Sequence, residues 1–85
     1  MEIKLEVPEY DPNEGFKYKW VKGFEIEIKV EKDTIFFKAN KEGLISMANH
    51  FMNIAQDTIP AGYHIHLDDY NSLEEGSSPI IIQKS

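Results

Sequence analysis

Residues 40–69 read NKEGLISMANHFMNIAQDTIPAGYHIHLDD, and their pattern places one helix, one turn and one strand in immediate succession. Leu44, Met47, Ala48, Phe51, Met52 and Ala55 recur at three- and four-residue spacing, which predicts an amphipathic helix with that set toward the core. Ser46, Asn49, His50, Asn53 and Asp57 are then expected on the solvent side. Asn40 suits the N-cap, where its side-chain oxygen can accept from a free first-turn amide, and Glu42 lies near the positive end of the helix dipole. Thr58-Ile59-Pro60-Ala61-Gly62 is the stop signal, because proline removes a donor and biases its predecessor away from helix. Beyond it, Tyr63, Ile65 and Leu67 alternate with His64, His66 and Asp68, the period of a half-buried strand. The first set is expected beneath the helix. The histidines and Asp68 then share the opposite face of the sheet.

Upstream of this stretch the chain reads as β structure. Ile3, Leu5 and Val7 alternate with charged residues, predicting a first strand over 2–7 that Pro8 closes, and PEYDPNEG (8–15) reads as a loop. Phe16, Tyr18 and Trp20 share a phase with Phe24, Ile26, Ile28 and Val30, leaving Glu25, Glu27, Lys29 and Glu31 on the solvent side. Gly23 marks either a bulge in one long strand or a turn between two. Lys32-Asp33 connects to a strand at Thr34–Ala39, with Ile35 and Phe37 on one face and Phe36 on the other. After residue 69, YNSLEEGSS (70–78) is a polar loop and Pro79–Gln83 a last strand. Its three consecutive isoleucines suggest neighbours on both sides or cover on both faces. The order predicts a single α+β domain over residues 1–85: a mainly antiparallel sheet of four to five strands with one helix packed on one face. One helix covers only part of such a sheet. The other face, with His64, His66, Asp68 and Phe36 or Ile81, is left for solvent, a partner, or a second copy forming a homodimer.

The 85 residues contain no cysteine, which removes disulfides and thiolate chemistry and suits a reducing compartment. MEIKLEVPEY is no signal peptide and no apolar run approaches the roughly 20 residues of a membrane span, so a cytoplasmic protein is expected. Fifteen carboxylates stand against nine basic residues, all lysine, for a net charge of −6. Without arginine and with that sign of charge, direct nucleic-acid binding is disfavoured. An acidic surface points to a basic partner or serves solubility.

His64, His66 and Asp68 lie about 6.5–7 Å apart per step on one strand face, so two side chains could converge on zinc. The His-x-His-x-Asp pattern resembles part of the metal motif of metallo-β-lactamase-like hydrolases. That motif ends in a further histidine, where Asp69 stands here, and no histidine follows His66. That family is therefore set aside, and an exposed strand face used for recognition is the preferred reading over a metal site. His50, on the expected outer side of the helix, cannot join the strand histidines. Catalytic constellations are thin. Ser46 has no identifiable base, Ser77 and Ser78 lie in a loop, Asp68 and Asp69 point to opposite faces, and there is no phosphate-cradling loop. No cofactor is expected, and Phe16, Tyr18 and Trp20 read as packing rather than as a ligand platform.

Asn40-Lys41-Glu42-Gly43-Leu44, the Met47-Ala48-Asn49-His50 helix, Gly62-Tyr63-His64-Ile65-His66-Leu67-Asp68 and Ser78-Pro79-Ile80-Ile81-Ile82 together resemble the immunity protein 32 family of bacterial polymorphic toxin systems, over roughly Thr34 to Lys84. The Gly-aromatic-His-x-His-Leu-Asp strand is the most specific piece. The resemblance implies a small cytoplasmic antidote that binds a cognate toxin domain and blocks it without chemistry of its own. An acidic antidote can be steered toward a basic nuclease-type toxin. The expected contact residues are Glu25, Glu27, Glu31, Asp68 and Asp69 for charge, with His64, His66 and Tyr70 for hydrogen bonds and flat contact area. A generic interaction or oligomerisation domain, and a metal-binding protein using His64, His66 and Asp68, are the alternatives.

Overall fold

The computed structural model describes all of residues 1–85. Its elements are β1 (Ile26–Glu31), β2 (Thr34–Ala39), α1 (Lys41–Ile54), β3 (His64–Leu67) and β4 (Ile80–Gln83). The α+β class and the single helix are as expected, but the strands form two separate antiparallel pairs, β1–β2 and β3–β4, rather than one sheet of four to five.

Two features of the chain split the sheet. The far edge of β1 is met not by a strand but by the loop before β4: Glu74 and Ser78 donate their amides to the Ile26 and Ile28 carbonyls at 2.8 and 2.7 Å. The Ile28 amide in turn donates to the Ser77 hydroxyl at 3.2 Å. This loop turns on itself between Glu74 and Ser77 and then reaches Pro79, which has no amide to give, so spaced bonds replace a ladder. β4 consequently pairs only with β3, and of its three isoleucines Ile81 stays exposed while Ile80 and Ile82 turn inward. Neither form of cover expected for that strand is present.

Residues 2–7 do not form a strand, and residues 16–20 run without a ladder partner. Gly23 sits at φ 87° in a turn closed by the Phe24 amide on the Val21 carbonyl at 3.1 Å, so only Ile26–Glu31 of the 16–31 run is strand. The irregular arm over residues 5–21 still has amides and carbonyls to satisfy, and side chains of α1 and of Gln56 just past its end take five of them. Asn49 Nδ2 donates to the Glu6 carbonyl at 3.0 Å, Asn53 Nδ2 to Lys17 at 3.0 Å, and Gln56 Nε2 to Pro8 at 2.9 Å. The Tyr10 amide donates to Gln56 Oε1 at 3.3 Å and the Val21 amide to Ser46 Oγ at 2.8 Å.

This polar seam reverses the expected rotation of the helix. Ser46, Asn49, His50 and Asn53 are buried, while Leu44, Ala48, Phe51 and Met52 face solvent. Only Met47 among the expected inward set is buried, joined by Ile54. Met47 packs with Ile26, Ile28, Leu67 and Leu73, and Ile54 packs with Ile59 and Ile65, with Ile82 touching both clusters. The alternation along β3 is as expected: Ile65 and Leu67 are buried against residues of the helix, and His64 and His66 are exposed.

Both ends of α1 are held from outside the helix. Its last turn carries no basic residue, and Lys84 supplies the missing positive charge from beyond β4, donating to the Gln56 and Ile59 carbonyls just past the helix end at 2.5 and 2.7 Å. Asn40 is the N-cap as expected, accepting from the Gly43 amide at 2.8 Å. Its side chain also accepts from the Glu25 amide at 3.0 Å and donates to the Gly23 carbonyl at 2.9 Å. Asn40→Ala should therefore lose more than an ordinary cap, about 2 kcal/mol in urea unfolding, with Asn40→Asp recovering part by keeping the acceptors. A loss of only a few tenths would mean that water replaces the side chain without cost.

Candidate functional site

The residues expected to meet a partner fall into two groups. The first is the outer face of β3–β4. His64 and His66 project there with ring centroids 5.3 Å apart, His66 opposite Ile81 across the strand pair. His64 Nδ1 lies 3.2 Å from the Gly62 carbonyl, and both rings remain accessible. Just beyond the strand, Tyr70 is 97% exposed. Asp68 also has a structural task. Its Oδ1 accepts from the Tyr70 and Asn71 amides at 2.9 and 3.1 Å, and its own amide donates to Asn71 Oδ1 at 3.0 Å, so it builds the turn that displays Tyr70. Asp69 likewise accepts from the Gly76 amide at 3.2 Å, tying the loop back on itself. Two imidazoles converge, but no three side chains of the metal-ligating types do.

The second group surrounds a hollow of about 510 Å³ at the end of β2. Glu25 and Glu27 line it together with Glu74, Glu75, Lys38 and Asn40. Four carboxylates against one ammonium make it the acidic focus of this side of the molecule. No histidine lines it, so the charged and the aromatic candidates are neighbours in function only if one partner spans both.

Sequence periodicity missed two apolar surfaces. One is the outward stripe of α1, where Leu44 and Ala48 lie with Ile3, Leu5 and Ile45 around a wholly apolar depression of about 200 Å³, and Phe51 and Met52 continue it. The other is on β2, where Ile35 and Phe37 are exposed as well as Phe36, which was expected on the open face, with Ile35 at 69%. A signal for the first was present: Ser46, Asn49, Asn53 and Gln56 repeat at three- and four-residue spacing as regularly as the apolar residues do. A continuous row of backbone-bonding side chains beside an arm rich in unpaired peptide groups is itself a packing pattern.

His50 lies under that arm with 0% exposure. Trp20, Tyr18 and Phe16 present rings at 4.4, 5.4 and 6.3 Å, all in edge arrangements, and neither imidazole nitrogen has a hydrogen-bond partner. Burial pushes its pKa down to about 4, so it is neutral at physiological pH. An aromatic cage of this kind holds the arm on the helix.

No helix in the chain is long and apolar enough to cross a membrane. No curated protein and no solved structure matches the chain. A family model does match, over residues 34–85, which takes in β2, the helix, the histidine strand and β4 and leaves the arm and β1 outside. That span is more than half of the sequence and holds the motifs that frame the exposed histidine face, and on it the chain belongs to the immunity protein 32 family.

Proposed function

We propose that this chain is a cytoplasmic antidote that binds a cognate bacterial toxin domain and blocks it by occupation, with no chemistry of its own. Membership of an immunity protein family is the observation that carries the reading. The surface is consistent with it: exposed imidazoles, Tyr70 and Ile81 supply flat contact area beside hydrogen-bonding groups. A net charge of −6 with carboxylates gathered at Glu25 and Glu27 favours a basic partner, such as a nuclease-type domain whose phosphate-binding site they would cover.

The test is rescue. Co-expression with the toxin domain encoded directly upstream of this chain's gene should restore growth, and the two purified proteins should form a complex. Replacing His64 and His66 by Ala and Ile81 by Ser removes the outer-face contacts without touching the Asp68 turn. The triple variant should bind at least about tenfold more weakly while melting as the wild type does. Wild-type affinity in the triple variant would move the contact surface elsewhere, and absence of rescue by the unmodified chain would remove the antidote reading altogether.

A further inference from the structure

Building on the antidote reading, we infer that the toxin is held by strand addition: an extended segment of it, bearing lysine or arginine, pairs with the free edge of β2 beside the carboxylate hollow.

The free edge follows from the phase of the hairpin. Lys32 and Asp33, at φ 47° and 64°, form a two-residue turn of the kind that joins antiparallel strands tightly, so Glu31 and Thr34 are the hydrogen-bonded pair that closes it. Alternation from there directs the peptide groups of Thr34, Phe36 and Lys38 toward β1 and those of Ile35 and Phe37 away from it. The neighbouring bonds keep this phase. The Asn40 amide donates to the Glu25 carbonyl, whereas Ile26 and Ile28 use their carbonyls on the opposite edge, toward Glu74 and Ser78. β1 is thus bonded on both sides and β2 on one.

An edge of this kind is ordinarily blunted by proline, a bulge or inward charges. Here the register runs one to one from Ile26–Ala39 to Glu31–Thr34, and Thr34 to Phe37 contains no charge and no proline. Ile35 and Phe37 extend the core-side face past the helix, where Val30 is also exposed, and Phe36 stands on the other face. An added strand would cover apolar side chains on both faces while satisfying the outward amides and carbonyls, the two elements of recognition by strand addition.

Charge selects the occupant. A second copy paired through the same edge would set two chains of net charge −6 together, each with its own hollow of Glu25, Glu27, Glu74 and Glu75. A cationic strand meets the opposite condition. Alternate side chains of the added strand rise on the same face as Glu25 and Glu27, across roughly 10 Å, or two strand spacings, which a lysine or arginine and a glutamate bridge between them.

The experiment uses the unmodified chain, Ile35→Pro, and a semisynthetic chain methylated on the Phe37 amide nitrogen, each titrated with an inactivated form of the toxin domain encoded directly upstream. Both changes remove an outward donor and leave the ladder to β1 intact, because proline is tolerated where the amide faces solvent. Each should weaken the complex by at least about tenfold. In the unmodified chain, amide exchange at Ile35 and Phe37 should slow by at least about tenfold on binding while Phe36 changes little, a readout that stands even where a variant misfolds. Wild-type affinity of the methylated chain with unprotected Ile35 and Phe37 overturns strand addition and leaves the antidote intact; failure of the unmodified chain to bind overturns both. A free chain that is dimeric and becomes monomeric on Phe37 methylation makes a second copy the occupant and overturns the assignment to the toxin.

Discussion

Gly43→Ala is expected to destabilise the fold by about 2–4 kcal/mol, against the gain of about 1 kcal/mol that the same change brings on an open helix surface. Gly43 lies in the first turn of α1, where a Cβ would stand 2.5 Å from the Glu25 carbonyl oxygen, 2.9 Å from Ile26 Cγ1 and 3.2 Å from Ala39 Cβ. The first of these neighbours is backbone and cannot swing aside. That carbonyl also accepts from the Asn40 amide at 3.1 Å, so pushing it away loosens the junction of β1, the N-cap and α1 together. Urea unfolding of the two proteins measures the difference. An alanine variant as stable as the parent would mean that helix and strand can separate without loss, and the tight junction would not be a determinant of the fold.

The second large effect is a response to acid. The His50 imidazole has its ordinary value of 6.5 in the unfolded chain and about 4 in the native state, where burial opposes the charged form. Between those values the unfolded state binds more protons, so stability is fully present above pH 6.5 and falls as the pH drops toward 4. At about 1.4 kcal/mol per pH decade, the whole window removes roughly 3 kcal/mol. His50→Leu should flatten that part of the pH dependence. At neutral pH it should be close to neutral or stabilising, since both ring nitrogens are without partners and the surroundings are Phe16, Tyr18 and Trp20. Denaturant titrations of both proteins at pH 7.5 and 4.5 give the comparison, and an unchanged slope in the leucine variant would assign the acid sensitivity to the carboxylates instead.

Local chemistry that needs no distant partner was readable in the chain. The helix start at Asn40, the strand at Thr34–Ala39, the Lys32-Asp33 hairpin connection and the alternation of Tyr63 to Leu67 are each set by neighbours within a few residues, and the structure contains them where expected. The exposure of the candidate contact residues was legible to the same depth. Exposed His64, His66 and Tyr70 follow from strand alternation and loop composition, whereas the bonds that one carboxylate oxygen each of Asp68 and Asp69 makes within the loop between β3 and β4 are revealed only by its folded path. The acidic hollow needed Glu74 and Glu75, part of a loop that reads as solvated until its backbone is seen bonded to β1.

From Ile26 onward the amino-acid sequence by itself determined which segments are helix or strand, together with the parity of β3 and the kinship carried by residues 34–85, whereas the strands it suggested upstream, over 2–7 and 16–20, are not formed. Which side of the helix is buried, and whether the strands join into one sheet, were decided only in three dimensions. Helical periodicity separates two faces without saying which must be covered. The choice fell to the arm over residues 5–21, whose peptide groups lack strand partners and take Ser46, Asn49, Asn53 and Gln56 instead. Satisfying buried backbone turned those side chains inward and left Leu44, Phe51 and Met52 to the solvent.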